Sequence, residues 1–245
     1  MRKRSKKKFL WRILAVAAGV LIIGAPVSVC VVEKDSNVLK DSADDAADNV
    51  MDNAEDHIID NVIDGVYGFY TIMGRTTVNK NDMVSLFNSR DVGYPSLILG
   101  EGGAGTIEEF CDIILEEARG EGVRGEVVFV QSMLETGWLQ YGGDSSAEQF
   151  NFSGLGTTGN GVPGNFFPDV RTGLRAQVQH LKAYACQENL NQECVDERFG
   201  YVVRESAPYV EWLGMQENPY GTGWAAGEGY GYKLRDLLEE LKGTE

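Results

Sequence analysis

The sequence predicts a mainly α domain with a small loop or hairpin region, preceded by one transmembrane helix. Three observations carry that expectation. Residues 13–32 run for 20 positions without a charge, which is the length of a helix that spans a bilayer. After Gly65, apolar residues recur at helical spacing in successive stretches, the pattern of helices with one face turned to a core. Residues 142–168 break that pattern with glycine, asparagine, phenylalanine and threonine, and Gly159-Asn160-Gly161 and Pro163-Gly164 are turn signals.

Four zones follow along the chain. Residues 1–12 form a basic segment in which Arg2, Lys3, Arg4, Lys6, Lys7, Lys8 and Arg12 face no acid. Positive charge beside an apolar span argues that this end stays in the cytoplasm. Residues 13–32 are then a transmembrane anchor, with the rest of the chain outside the cell. A cleavable signal peptide is the competing reading, with Ala25-Pro26-Val27-Ser28 as weak cleavage options. Residues 33–65 are an acidic spacer, where nine aspartates from Asp35 to Asp64 and Glu33 and Glu55 outweigh Lys34 and Lys40. Such a stretch repels itself and extends, although Val50, Ala54, Ile58 and Val62 also allow a short amphipathic helix. Residues 66–245 are left for the catalytic domain, enough for a substantial core.

Within that domain, residues 79–89 read as a helix ended by Gly93-Tyr94-Pro95. Thr106 and Glu109 form a capping box that opens a helix with Ile107, Phe110, Cys111, Ile114, Leu115 and Ala118 on one face, stopped at Gly120 and Gly122. Residues 171–185, about 195–204, and 232–241 complete the helical expectation. Between the helix that Thr106 opens and residues 171–185 lies the segment with the most chemical content, Gln131-Ser132-Met133-Leu134-Glu135-Thr136-Gly137-Trp138. Its upstream residues Val127, Val128, Val130, Met133 and Leu134 make a buried helix that ends in one carboxylate before a glycine break. Desolvation disfavours a charged carboxylate, so Glu135 is suited to hold a proton and hand it to a leaving oxygen.

Charge and composition exclude several classes. The chain has 22 basic and 37 acidic residues, and seven of the basic ones lie in the first twelve positions. No basic stripe is left to neutralise phosphates, so nucleic acid is not an expected partner. Such an acidic body also does not bind anionic surfaces by charge, so recognition of any ligand falls to a cleft. Two histidines, His57 and His180, make no His-Glu-x-x-His metal signature, and there is no serine nucleophile elbow. No metal or cofactor is implied, and protein partners are undetermined. Cys30 lies in the anchor. Cys186 and Cys194 are close enough in sequence to pair, and Cys111 reads as a buried thiol.

Four motifs occur in order: Leu134-Glu135-Thr136-Gly137-Trp138, Phe150-Asn151-Phe152-Ser153-Gly154-Leu155-Gly156, Phe167-Pro168-Asp169-Val170-Arg171, and Gly223-Trp224 through Tyr230-Gly231-Tyr232-Lys233-Leu234. Over about residues 106–242 this order resembles the bacterial endo-β-N-acetylglucosaminidases of glycoside hydrolase family 73. The resemblance implies a lysozyme-like α+β fold and a peptidoglycan glycan-strand substrate cut after N-acetylglucosamine. It also implies Glu135 as the acid, Tyr230 as the hydroxyl beside the reacting sugar, and Asn151, Phe152 and Gly154 as the loop that walls the cleft. Trp138 and Trp224, with Tyr141, Phe150, Phe152 and Phe166, would offer flat faces to sugar rings.

The chain departs from the family in one respect that matters. Many members carry a second carboxylate on a hairpin after the Asn-Phe-Ser-Gly position, and residues 151–168 here contain neither Asp nor Glu. Asp144, Glu148 and Asp169 are the nearest acids, and Asp169 reads equally as a helix N-terminal residue. Glycosidases usually use two carboxylates, the exception being attack by the substrate's own 2-acetamido group. That route, or a water held by Tyr230, is the expectation. The competing functions are a lytic transglycosylase or muramidase on the same fold, and a wall-binding module that has lost hydrolysis.

Overall fold

The computed structural model describes residues 68–157 and 161–243. The basic segment, the anchor and the acidic spacer assigned to residues 1–65 lie outside the described residues. Among the described residues no helix is long and apolar enough to cross a membrane. They form six α-helices: α1 Lys80–Asn88, α2 Ser96–Glu101, α3 Ile107–Glu121, α4 Gly125–Thr136, α5 Val170–Ala185 and α6 Tyr230–Lys242. Three single 3-10 turns, Ala147–Gln149, Phe199–Tyr201 and Val210–Leu213, lie between them. Pairing of extended backbone is confined to isolated bridges, Thr71 with Tyr209, Met73 with Val123 and Gly214 with Ala225. The domain is mainly helical, as expected, with very little β structure.

Local chemistry explains the helix starts. Asn79 caps α1 and Thr106 caps α3, each with a reciprocal bond from the acid three residues on, Asp82 and Glu109. Asp169 caps α5 by accepting from Thr172 N at 2.7 Å. Gly122 ends α3 in the left-handed conformation at φ 75°, while Gly120 stays inside the helix. Residues 96–101 add a short helix that the periodicity did not point to. One sequence expectation is corrected. Residues 195–204 form only the Phe199–Tyr201 turn, because Asp196 turns its carboxylate to the Arg198 N–H at 2.9 Å and to His180. The Arg204 guanidinium meanwhile binds the Cys186 and Glu188 carbonyls. Side chains that bond to nearby backbone in this way compete with helix formation.

The core is built around α4. Every residue from Gly125 to Met133 is buried, so this helix is enclosed on all sides rather than amphipathic. It packs against α3, α5 and α6, and α3 also packs on α1 and α5. Its one early acid, Glu126, is fully buried, and Tyr70 Oη at 2.8 Å, Thr77 N at 3.1 Å and Thr77 Oγ1 at 2.9 Å all donate to its Oε1. A second buried pair, Lys182 to Glu121 at 3.0 Å, joins α5 to α3. Removing one member of such a pair is costly because the other is left charged and dry. The extended segment at residues 70–74 is stitched in by Val210 N to Tyr70 O at 2.8 Å and Arg124 N to Ile72 O at 3.0 Å.

At its far end, α6 starts where it does because Gly231 lets it approach the Val210–Leu213 turn. A Cβ on Gly231 would overlap the Glu211 carbonyl oxygen. Gly231→Ala should therefore push the first turn of α6 away and cost about 1–3 kcal/mol, the usual price of forced overpacking. Thermal unfolding of the purified domain measures this, and unchanged stability would show that the turn yields freely.

Candidate active site

The last turn of α4 delivers Glu135 to a cleft of about 410 Å³. Gly137 terminates the helix in the left-handed region (φ 58°), and Trp138 and Leu139 follow at φ 62° each. Successive left-handed residues that carry a Cβ are strained by roughly 1–2 kcal/mol apiece. Thr136 holds them in place: its Oγ1 accepts from Leu139 N at 2.9 Å, and its carbonyl accepts from Tyr141 N at 2.7 Å. This sharp turn brings Tyr141 and Asp144 to the cleft wall alongside Glu135.

Tyr230, the first residue of α6, comes from the opposite direction. Its hydroxyl donates to Glu135 Oε1 at 2.5 Å. Burial raises the phenol well above its ordinary pKa, so it stays a neutral donor. Glu135 opens to the cleft, where solvent reaches it, yet protein crowds the carboxyl closely enough that burial pushes its pKa up. The Tyr230 hydrogen bond pulls it down, and the net direction is upward. Upward is the direction a general acid needs. With Oε1 occupied by the Tyr230 hydrogen, a proton on this carboxyl belongs on Oε2. That oxygen faces the Gly154 loop, since a Cβ on Gly154 would sit 3.8 Å from it. Gly154 is itself left-handed at φ 66°.

The structure sorts the other candidates. Gly154 and Trp224 line the cleft. Asn151 is buried and fully employed within its own loop: it donates to the Leu155 and Asn165 carbonyls at 2.9 and 3.1 Å and accepts from Leu155 N at 3.0 Å. Phe152 is a core residue, edge-on to Phe110 at 5.0 Å. These two shape the loop, and its cleft face is Ser153 and Gly154. Trp138 packs against Phe87 beneath the Arg90 guanidinium and is not among the lining residues. Phe166 is exposed and likewise lies off the lining.

Of the three acids near the missing hairpin carboxylate, Asp144 lines the cleft, Glu148 is exposed in the 3-10 turn, and Asp169 is the α5 cap. Cys186 and Cys194 are free thiols, and Cys111 is buried as expected.

Sequence reasoning missed four contributors. Gln131 donates to Tyr230 Oη at 3.1 Å, and Gln177 of α5 donates to Gln131 Oε1 at 2.9 Å. Asp196 binds His180 Nδ1 at 2.6 Å, and that imidazole stands edge-on to Trp224 at 4.9 Å. Ser153 is the fourth. Gln131 was visible inside the Glu135 motif, but its partners come from segments distant in sequence.

A larger depression of about 550 Å³ lies elsewhere, between α3 and the start of α5. Size does not make it the site. Four of its five acids already have structural work: Glu109 and Asp169 are caps, Asp112 pairs with Lys80, and Glu116 pairs with Arg171. The Glu135 cleft differs in holding unspent polar groups. The buried hydroxyls of Tyr141 and Ser153 have no hydrogen-bond partner among the described residues, and such groups await a ligand or water.

A helical domain with a helix-terminal carboxyl, a phenol donor bonded to it and an aromatic-walled cleft defines a glycoside hydrolase. Residues 111–243 match the glucosaminidase family, described as mannosyl-glycoprotein endo-beta-N-acetylglucosaminidase. The chain belongs to this family, glycoside hydrolase family 73. It is also 41% identical over 128 residues to an uncharacterized protein of Borreliella burgdorferi, a match covering 52% of this chain and 59% of that relative. The chain thus spans under two thirds of the relative's length. No solved structure matches it.

Ser153→Ala should raise KM for a glycan substrate by several-fold, about what one lost hydrogen bond costs, with kcat little changed. Steady-state kinetics on soluble muropeptide chains measures it, and an unchanged KM would mean that a water alone satisfies this hydroxyl.

Proposed function

We propose that this protein is a membrane-anchored peptidoglycan hydrolase that cleaves the β-1,4 bond after N-acetylglucosamine, with Glu135 as general acid. The observation that carries the reading is the Tyr230–Glu135 contact in the cleft. Glu135 Oε2–H would donate to the glycosidic oxygen as the bond to the anomeric carbon breaks. The Tyr230 hydrogen bond on Oε1 would strengthen as negative charge appears on the carboxylate, and an interaction stronger in the transition state than in the ground state accelerates the step. Trp224, steadied by the His180 ring and through it by Asp196, offers a flat face to a sugar ring. The family relationship supports the peptidoglycan substrate.

The attacking group has two candidate sources. The substrate's 2-acetamido group needs no second carboxylate. A base acting on water is the second reading, and the placement of Asp144 on the same cleft wall favours it. One panel of variants tests both the acid and the base. Glu135→Gln should cut turnover of purified sacculi by about two to four orders of magnitude, and near-normal turnover would put the acid elsewhere. Glu148→Gln and Asp169→Asn should keep most activity, the latter because asparagine caps helices as well as aspartate. Asp144→Asn is expected to be the one of the three that loses activity, and full activity there would leave the acetamido route. The upward shift of Glu135 also sets a pH expectation. An acid works only while protonated, so activity should persist above the ordinary glutamate value of 4.5 and fall as pH rises through the raised pKa.

The reducing-end sugar of the products separates this activity from a muramidase or a lytic transglycosylase, and wall turbidity that does not clear would indicate a binding module. The uncharged run at residues 13–32 supports an anchored enzyme with its cleft on the outer side. The full chain should stay with the membrane pellet after a high-salt wash. Its release without detergent would overturn the anchor.

A further inference from the structure

The Tyr230 hydroxyl has one hydrogen and two neighbours that could receive it, Glu135 and Gln131. Which one receives it depends on which way the Gln131 amide faces. A run of buried contacts decides this, starting from a group that can only accept. The Val128 carbonyl lies 3.1 Å from Gln177 Nε2, so the amide nitrogen of Gln177 must be the end that faces it. The same nitrogen uses its other hydrogen on Gln131 Oε1 at 2.9 Å. Gln177 Oε1 in turn accepts from Ser132 Oγ at 2.9 Å. Gln131 is thereby left with its nitrogen toward Tyr230, donating to the phenol oxygen at 3.1 Å. The phenol hydrogen has one place left to go, Glu135 Oε1. Gln131, Ser132 and Gln177 are all fully buried, so water does not compete for these groups.

We propose that Gln177 is a positioning residue for catalysis: by barring a flip of the Gln131 amide, it directs the Tyr230 hydrogen to Glu135 Oε1 and leaves Oε2 as the oxygen that carries the acid proton. This rests on the reading of Glu135 as the acid. A flipped Gln131 would present Oε1 to Tyr230 and compete for the phenol hydrogen. It would also set its nitrogen against that of Gln177, two donors facing each other, and that repulsion is what Gln177 supplies. Gln177 touches neither Glu135 nor the cleft lining, so it acts only through the other two side chains.

The arrangement makes a prediction of unusual sign. Gln177→Met frees Gln131 to flip and should lower kcat on sacculi by about 10- to 100-fold, the worth of a hydrogen bond to a developing charge, with KM little changed. Loss of the Tyr230 donor also removes what lowers the Glu135 pKa, so the alkaline limb of the rate profile should move to higher pH. The other titratable groups around Glu135 are Tyr141 and Asp144 on the cleft wall, with Tyr184 of α5 close enough to influence Tyr230. All are present in every variant, so the difference belongs to the amides. Adding Gln131→Met to Gln177→Met should bring kcat and the limb most of the way back, because methionine offers Tyr230 no oxygen.

Ser132 Oγ also lies 2.9 Å from the Val128 carbonyl, so neither group is orphaned when Gln177 is replaced, and thermal midpoints should confirm that each variant folds. A double variant worse than both singles, the additive outcome of a packing role, would overturn the proposal. So would parent-like kinetics for Gln177→Met. If that variant does not fold, Gln177→Leu, equally unable to donate, takes its place, and parent-like kinetics there would overturn it. Failure of the acid assignment is read separately, as turnover retained by Glu135→Gln.

Discussion

Complete enclosure of α4 is the constraint on which the rest of this domain depends. A helix buried from Gly125 to Met133 draws partners for its polar side chains from other segments. Tyr70 and Thr77 are brought to Glu126, Gln177 is brought to Gln131, and Tyr230 is brought within reach of Gln131 and Glu135. Each of these demands fixes the position of another segment. The extended stretch at residues 70–77, α5 and the first turn of α6 are all located by a polar group on α4. Only the last turn of the helix emerges, and what emerges is the carboxyl. A carboxyl that is both crowded by protein and open to a cleft needs such a setting, and a buried helix that surfaces at its end satisfies both conditions.

The strained turn after α4 belongs to the same logic. Three consecutive left-handed residues reverse the chain within one helical pitch, so the segment that leaves Glu135 comes straight back to wall its cleft. A conventional longer loop would carry Tyr141 and Asp144 away from the carboxyl. The cost is held locally by Thr136, which spends its hydroxyl and its carbonyl on the turn rather than on a ligand.

What could be read from the sequence was whatever depends on near neighbours. The Thr106–Glu109 box, the amphipathic face of α3 and the buried run before Glu135 are all statements about residues a few positions apart, and each appears in the structure. The order of motifs placed Glu135 and Tyr230 in one family pattern, and the fold brings them into contact across 95 positions. Misreadings arose where a distant partner overrides local preference. Residues 195–204 have enough apolar content for a helix, but Asp196 is claimed by His180 and Arg204 by two carbonyls. Trp138 sits in the most suggestive motif of the chain and yet turns to Phe87 and Arg90, because the left-handed turn points it away from the cleft. Asn151 and Phe152 look like ligand groups in sequence, and they are instead the means by which Ser153 and Gly154 reach the cleft. The two glutamines are the clearest limit, since nothing local distinguishes a buried amide from a surface one.

One property of the glutamine chain extends to the conditions under which the enzyme works. From Val128 to the Tyr230 hydroxyl, every link is between uncharged groups. Mobile ions screen charges over a Debye length of about 8 Å at physiological ionic strength, but they have little purchase on a buried amide or phenol. The surface is the opposite case, because an acidic body meeting a polyanionic polymer is repelled at low salt and relieved of that repulsion as salt rises. The ionic surroundings thus act on the acidic surface and leave the geometry of the buried amides where the fold set it.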